Sequence, residues 1–159
     1  MKKVLSLILA AVMMMSFLAA CGKANKEVDV DLVEFYNTLE EKYDWGGGFM
    51  VDIEGEILEN YYPGLDAIEK EQFIAKTPIV GSVNEVVFVK CKNKDDVAKV
   101  AEIMQGRIDA QADGGAWYPA ACEAWGRGKV ITNGRYVAMI ACIEFQEEVE
   151  AAFNACFNK

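Results

Sequence analysis

The sequence predicts an α+β domain in which helices pack on an antiparallel three-stranded sheet. Residues 84–91 ("NEVVFVKC") are rich in β-branched and aromatic residues, which is typical of a strand. Residues 93–113 repeat apolar side chains at helical spacing. Residues 129–143 place Asn133-Gly134 between two apolar runs, which is the pattern of a tight β-hairpin.

Residues 1–20 have the composition of an export signal, because two lysines precede an apolar run with small residues at its end. The run is shorter than the roughly 20 apolar residues of a membrane-spanning helix. Leu18-Ala19-Ala20-Cys21 resembles the lipobox of bacterial lipoproteins. We therefore expect cleavage between Ala20 and Cys21 and a diacylglyceryl group on the Cys21 thiol. An ordinary signal peptide that ends near a cysteine is the alternative. Two acyl chains anchor a protein stably, whereas one binds only marginally.

Residues 21–30 are polar and are expected to form a lipidated tether, so that a single domain spans 31–159. The first predicted element of that domain is a helix over 31–43, whose apolar residues fall on one face. The three glycines of "DWGGG" end it.

The next segments predict additional helices. Residues 50–53 could form a short strand, or Asp52 could cap a short helix through Asn60, and the helix is the preferred interpretation. Asp66 is the expected N-cap of a further helix that ends near Ala75, before Pro78.

The later half of the chain predicts the core of the fold. Strand 84–91, helix 93–113, a hairpin whose second strand is 135–143, and a final helix over 145–157 follow one another. This strand-helix-strand-strand-helix order is that of an incomplete ferredoxin-like arrangement. The most apolar strand, 135–143, is expected at the centre of the sheet. The N-terminal helices would then cover an edge.

The charge excludes some classes of function. The chain has a formal net charge of −9 at pH 7, and its signal segment contributes two of the lysines. Such a surface does not suit nucleic acid, whose phosphates need a basic footprint. The sequence has no histidine, which is the commonest general base and transition-metal ligand. No metal, no cofactor and no catalytic residue is predicted.

Four cysteines remain in the domain, at positions 91, 122, 142 and 156. Their spacing is not that of a metal site. An exported protein could form disulfides, with three connectivities. The predicted pairing of the strands puts Cys91 and Cys142 at opposite ends of the sheet, and the last helix brings Cys156 toward Cys91. Cys91–Cys156 is the candidate bridge, but buried free thiols are the preferred interpretation.

The segment "GGAWYPAACEAWGRG" brings Trp117, Tyr118 and Trp125 together. Exposed aromatic residues on a loop could stack on a sugar ring or anchor a protein partner. The preferred interpretation is that Trp117 and Tyr118 pack against the sheet, because large aromatic side chains are mostly buried.

The chain resembles an uncharacterised family of bacterial lipoproteins that is catalogued only as a domain of unknown function. The resemblance covers the chain after its signal segment. It rests on the lipobox, "ENYYPGLD" at 59–66, "KTPIVGSVNEVVFVKCKNKDD" at 76–96, the Arg107, Gln111, Tyr118 and Pro119 spacing, and "NGRYVAMI" at 133–140. It implies a location on the outer face of the cytoplasmic membrane of Gram-positive cells, and it implies no activity.

Two functions are consistent with the sequence. The first is a non-catalytic binding or scaffold lipoprotein of the cell envelope, attached to the membrane through its lipid and contacting a protein or glycan partner. The alternative is an envelope hydrolase that uses carboxylates alone, which would need two acidic side chains in one cleft with displaced pKa values.

Overall fold

The computed structural model describes residues 28–45, 49–79 and 83–158. In these residues the strands form one antiparallel sheet with the order β1-β2-β3-β5-β4. The strands are β1 (Met50–Asp52), β2 (Lys70–Pro78), β3 (Asn84–Cys91), β4 (Lys129–Asn133) and β5 (Tyr136–Cys142). The helices are α1 (Leu32–Lys42), α2 (Gly55–Tyr61), α3 (Val97–Ala110), α4 (Pro119–Gly126) and α5 (Gln146–Ala155).

The predicted three-stranded sheet is wrong, since the sheet has five strands, although the class is still α+β. The main error is β2, for which a helix capped by Asp66 was expected. Lysine, glutamate, glutamine and alanine in "KEQFIAKTP" favour a helix locally. Pairing of β2 with β3 along most of its length overrides that preference. β3, and not β5, lies at the centre of the sheet.

The segment 50–60 combines both of its predicted conformations. Met50–Asp52 is a short edge strand paired with the end of β2, and α2 begins three residues later. The predicted Asp52 cap is wrong, because Glu54 occupies the N-cap position of α2. The prediction for α1 is confirmed, and the Asp31 carboxylate accepts hydrogen bonds from the amides of Val33 and Glu34 at its start.

Helices cover both faces of the sheet. Alternate residues of β3 and β5 point to opposite faces, as the pleat requires. One face packs against α2, α3 and α4 around Val87, Met104 and Met139. The other packs against α1 and α5, where Phe88 lies between Phe35 and Phe153. β3 and β5 are therefore buried on both sides along their whole length.

The register of the two central strands defines the ends of the molecule. Asn84 pairs with Cys142 at one end, and Lys90 pairs with Tyr136 at the other. Cys91 follows Lys90 and so lies next to this second pair. The prediction that Cys91 and Cys142 lie at opposite ends is confirmed.

Candidate functional site

One end of the sheet is apolar and exposed. It lies where β2 and β5 end and where β1 and β3 begin, and we call it the apolar end. Trp117 and Tyr118 are 89% and 74% exposed, and they lie beside this end because Tyr118 and Val83 line the same cavity. Phe49, Ile79 and Ile143 are large apolar side chains that are also exposed at this end. Groups of exposed apolar side chains mark interaction sites in soluble proteins.

We call Trp117 and Tyr118 the aromatic pair, and the local backbone holds them outward. After α3 the chain makes a wide turn over Gln111–Gly115, in which Gly114 has a φ of 116°. The amide of Tyr118 then donates to the carbonyl of Ala116 at 2.7 Å across Trp117, whose φ is 66°. A hydrogen bond across a single residue of positive φ forms a strained γ-turn. Pro119 follows at the first position of α4, where its missing amide costs nothing.

The strain at Trp117 has a definite cost. A residue with a Cβ in the left-handed region loses about 1–2 kcal/mol relative to its ordinary conformation. Such residues cluster at functional sites, where the conformation serves binding or catalysis. Here the same residue is also nearly fully exposed. Stability alone therefore does not explain its position.

An open cavity of about 780 Å³ lies between α4 and the end of β5. Apolar side chains form most of its walls, namely three alanines of α4 with Val83, Tyr118 and Ile143, and Glu123 and Arg127 add two charges. A second cavity, of about 500 Å³, adjoins it and is lined by the start of α5. The two share Gly126, Arg127 and Ile143, so they form one continuous groove.

The preferred prediction that Trp117 and Tyr118 pack against the sheet is wrong for both residues. Trp117 and Tyr118 do not pack against the sheet, whereas Trp125 does and is 5% exposed. The candidate binding residues are therefore split between an exposed pair and a buried anchor of α4. The sequence alone could not show which tryptophan is exposed and which is buried, because both occur in alanine- and glycine-rich surroundings.

A buried charged cluster lies under α4. The Arg107 guanidinium donates to both carboxylate oxygens of Glu85, at 2.9 and 3.0 Å. The Tyr62 hydroxyl donates to the same carboxylate at 2.5 Å. Arg107 also stacks on Tyr61 and lies 5.1 Å from the ring centre of Trp125. Burial, and then the charge of Glu85, raises the pKa of Tyr62 well above its ordinary value.

This cluster was missed by the sequence analysis, although two signals were present. Glu85 is a charged residue within an apolar strand, and a buried charge needs a partner. Arg107 stands next to Ile108 on the apolar stripe of α3. The cluster holds α4 through Trp125 and so positions the aromatic pair that precedes α4.

The other end of the sheet is charged, and we call it the charged end. Lys90 Nζ lies 2.8 Å from Asp29 Oδ1 and 2.8 Å from Glu71 Oε2. Arg135 also pairs with Glu71. Hydrogen bonds to Lys90 lower the pKa of both carboxyls, and they raise the pKa of Lys90. The Tyr136 hydroxyl accepts a hydrogen bond from the amide of Val30 at 2.9 Å. The first described residues are thereby fixed to this end.

The carboxylates of the charged end do not support the hydrolase alternative. Asp29 and Glu71 converge on one lysine, and the pKa of each is lowered. A general acid needs a raised pKa, so neither carboxyl fits that role at neutral pH. Among residues 28–45, 49–79 and 83–158, no group of three or more acidic or cysteine side chains is arranged to hold a metal ion.

The cysteines lie in different cores. Cys91 has a free thiol in the core beneath α3, whereas Cys156 packs on the opposite face of the sheet. The candidate Cys91–Cys156 bridge is therefore not formed in this structure, because the sheet separates the two residues. Burial, and then the charge of Glu150, raises the pKa of the Cys142 thiol to about 12, so this thiol stays protonated and unreactive.

The predicted processing and lipidation site at Ala20 and Cys21 lies outside the described residues. Within the part of the chain that the structure describes, no helix has both the length and the apolarity needed to cross a bilayer.

Comparison with curated proteins and with solved structures gave no match. A family model described as a domain of unknown function (DUF4358) matches residues 43–142. The match is narrower than the expected resemblance and leaves out α1 and α5, but it includes all the strands of the sheet described above. It also includes the aromatic pair and the Glu85–Arg107 cluster. The chain therefore belongs to the family of the domain of unknown function DUF4358.

Proposed function

We propose that this protein is a lipid-anchored, non-catalytic binding protein of the cell envelope of a Gram-positive bacterium. Cys21 would anchor it to the outer face of the cytoplasmic membrane, and the aromatic pair would contact a partner. The anchor is supported by the sequence Leu18-Ala19-Ala20-Cys21 after an export signal. Two acyl chains on this cysteine would give a lasting attachment.

The observation that carries the binding function is the exposure of Trp117 and Tyr118 beside the open groove. Tryptophan and tyrosine are enriched among the residues that dominate binding energy at interfaces. Each supplies a large contact area with few rotatable bonds. The γ-turn at Trp117 holds its side chain outward before any partner arrives. Preorganisation of this kind lowers the entropy cost of binding.

The distance between the two ends of the sheet supports the same proposal. Residues 28–31 are fixed at the charged end, and the tether that precedes them would leave the domain there. β3 has eight residues and spans about 26 Å between the ends, at 3.3 Å per residue. An anchor at the charged end leaves the aromatic pair free to meet a partner on the side away from the tether.

Site-specific photocrosslinking tests the binding function. A photoreactive phenylalanine analogue replaces Tyr118 in the full chain, in intact cells that produce the anchored protein. We expect a discrete crosslinked product that disappears when Trp117→Ala is added. The matched control places the same analogue at Val33, which is exposed on α1 on the other face of the sheet. Absence of a product at position 118, or the same product from both positions, would refute the binding function.

The anchor has a separate test. Cys21→Ala should release the protein from the membrane fraction, and mass spectrometry of the unchanged protein should find a diacylglyceryl group on its N-terminal cysteine. Cys122→Ala is the control, because its thiol is part-exposed within the domain. An unmodified Cys21 in the unchanged protein would overturn the anchor without affecting the binding site.

A further inference from the structure

The groove beside the aromatic pair has two chemically different halves. The half beside α4 is mostly apolar, although Glu123 and Arg127 also line it, and it lies next to Tyr118. The half at the start of α5 is lined by acidic side chains, and Ile143 belongs to both halves. A ligand that fills the groove would therefore contact an apolar surface and an acidic surface within one binding site.

The acidic half has a surplus of negative charge. Glu144, Glu147 and Glu148 are exposed, and none of them forms an ion pair within the described part of the chain. Lys129 lies in the same half; its ammonium is 2.9 Å from the carboxylate of Glu150, and its charge also interacts with that of Glu147. Arg127 adds one positive charge. The surplus favours a cationic ligand.

The surplus of negative charge also argues against other occupants of this groove. A second copy of the chain would bring the same glutamates against these, and like charges at an interface cost affinity. An anionic lipid surface would be repelled. A neutral sugar would stack on Trp117 and donate hydroxyl hydrogen bonds to the carboxylates, but it would leave their negative charge uncompensated.

We propose that this groove binds a segment of a partner protein in which lysine or arginine residues flank an apolar side chain. The apolar side chain would occupy the cavity beside Tyr118, and the basic residues would face Glu144, Glu147 and Glu148. This inference rests on the proposed binding function, because it names the class of partner for the same surface.

Three labelled peptides of equal length test the partner's chemistry. The first has the sequence Lys-Lys-Ser-Leu-Leu-Ser-Lys-Lys, the second has glutamate in place of lysine, and the third has serine in place of leucine. The full lipidated chain is held in zwitterionic lipid nanodiscs, with empty nanodiscs as the blank. We expect the first peptide to bind at least about tenfold more tightly than the other two, with an affinity that falls as salt rises.

Variants of the protein place the binding in the groove. Glu147→Lys with Glu148→Lys should weaken binding of the first peptide about fivefold or more. Glu41→Lys with Glu59→Lys changes the net charge equally on exposed positions of α1 and α2, and should leave the affinity within about twofold. Trp117→Ala should also weaken binding. An equal loss in the control variant, or equal affinity for the acidic peptide, would overturn the inference.

The same measurements separate this inference from the proposed function. If the peptides fail while Trp117→Ala still removes the crosslink at position 118, the binding function stands and the cationic partner is wrong. Peptidoglycan fragments that bind equally well to the Glu147 and Glu148 variants would indicate a glycan instead. Dimers in sedimentation that Trp117→Ala dissociates would indicate a second copy. Each of these results would overturn the proposal that the groove binds a cationic segment of a partner protein.

Discussion

Arg107 joins three elements of the fold through one side chain. Its guanidinium binds Glu85 of β3, and it lies against Tyr61 of α2 and Trp125 of α4. Both charges of the pair are nearly inaccessible to water. A buried ion pair adds little net stability, but removal of one partner leaves the other charge buried and uncompensated.

Arg107→Met should therefore destabilise the protein by about 3–5 kcal/mol in urea denaturation. Arg107→Met combined with Glu85→Gln should lose less stability than Arg107→Met alone. The glutamine leaves no unpaired charge and still accepts a hydrogen bond from the Tyr62 hydroxyl. Arg127→Met, at an exposed arginine, is the control and should change stability by less than about 0.5 kcal/mol. A double variant as unstable as the single one would contradict this account of the cluster.

Tyr62 should make the protein sensitive to alkali. Its pKa is raised in the folded state, so the folded protein keeps the phenol proton where the unfolded chain loses it. The stability from this group is complete below the unfolded pKa of about 10 and falls as pH rises above it. The loss approaches about 1.4 kcal/mol per pH unit for one proton. Tyr36 contributes in the same direction, because burial raises its pKa as well.

Free energies of unfolding measured from pH 8 to pH 11 check this. Tyr62→Phe should be less stable than the unchanged protein at pH 8, because phenylalanine cannot donate the hydrogen bond to Glu85. Between pH 10 and pH 11 this variant should lose less stability than the unchanged protein. Tyr118→Phe is the control, because that side chain is exposed. Equal slopes for Tyr62→Phe and the unchanged protein would show that the phenol does not titrate as described.

The positive φ of Trp117 should lower the stability of the protein, whereas its indole should favour binding. Glycine adopts a φ of 66° without strain, so Trp117→Gly should be more stable than Trp117→Ala by about 1 kcal/mol. Both variants should lose the crosslink at position 118. Thermal denaturation of the two proteins measures the difference. An alanine variant as stable as the glycine variant would mean that the γ-turn relaxes once the indole is removed.

At the scale of the element, α1 depends on its N-cap residue, Asp31. Asp31 accepts two backbone amides at the start of the helix, at 2.9 and 3.1 Å. Asp31→Ala should cost about 1 kcal/mol of stability, whereas Asp31→Asn keeps an acceptor and should cost only a few tenths. Urea denaturation monitored by circular dichroism distinguishes the two. Equal losses would indicate that charge and not capping matters at this position.

The elements that the sequence predicted well are those whose local pattern agrees with their surroundings. β3, α1 and the β4–β5 hairpin carry both the residue preference and the periodicity of their structure, although the turn lies at Gly134-Arg135 and not at Asn133-Gly134. β2 does not, since its helix-forming residues become a strand only through pairing with β3 and β1. That pairing is a long-range interaction, and a local pattern contains no information about it.

The candidate site was predicted in part for a similar reason. The sequence identified the right segment, because it is rich in aromatic residues between glycines. Which aromatic side chain is buried depends on the wide turn at Gln111–Gly115 and on Arg107, whose stacking holds Trp125 inside. Neither has a signature in the segment itself, so the exposed pair could be assigned only from the structure.

At the scale of the whole molecule, the two ends of the sheet differ in chemistry and in what they hold. The charged end fixes residues 28–31, and the apolar end has the aromatic pair. Tryptophan fluorescence can locate the apolar end, because Trp45 and Trp125 are buried and Trp117 is exposed. These are all the tryptophans of the chain.

In liposomes containing the full lipidated chain, dissolved acrylamide should quench Trp117 strongly, and brominated lipids should leave it unquenched. Trp117→Phe should remove most of the acrylamide-sensitive fluorescence, and Trp125→Phe serves as the comparison. Strong quenching by brominated lipids would mean that the apolar end inserts into the bilayer, which would contradict the proposed orientation.

The attachment of residues 28–31 also determines how the domain would respond to a pull on its anchor. Val30 is held by Tyr136 of β5 and by Gln72 of β2, and Asp29 is held by Lys90 of β3. Tension that arrives through the tether is shared among three neighbouring strands before it reaches α1. A pull on the lipid or on the partner is thus opposed by strands that include β3 and β5, which are buried along their whole length. Unfolding from the N-terminus must first break these polar contacts together.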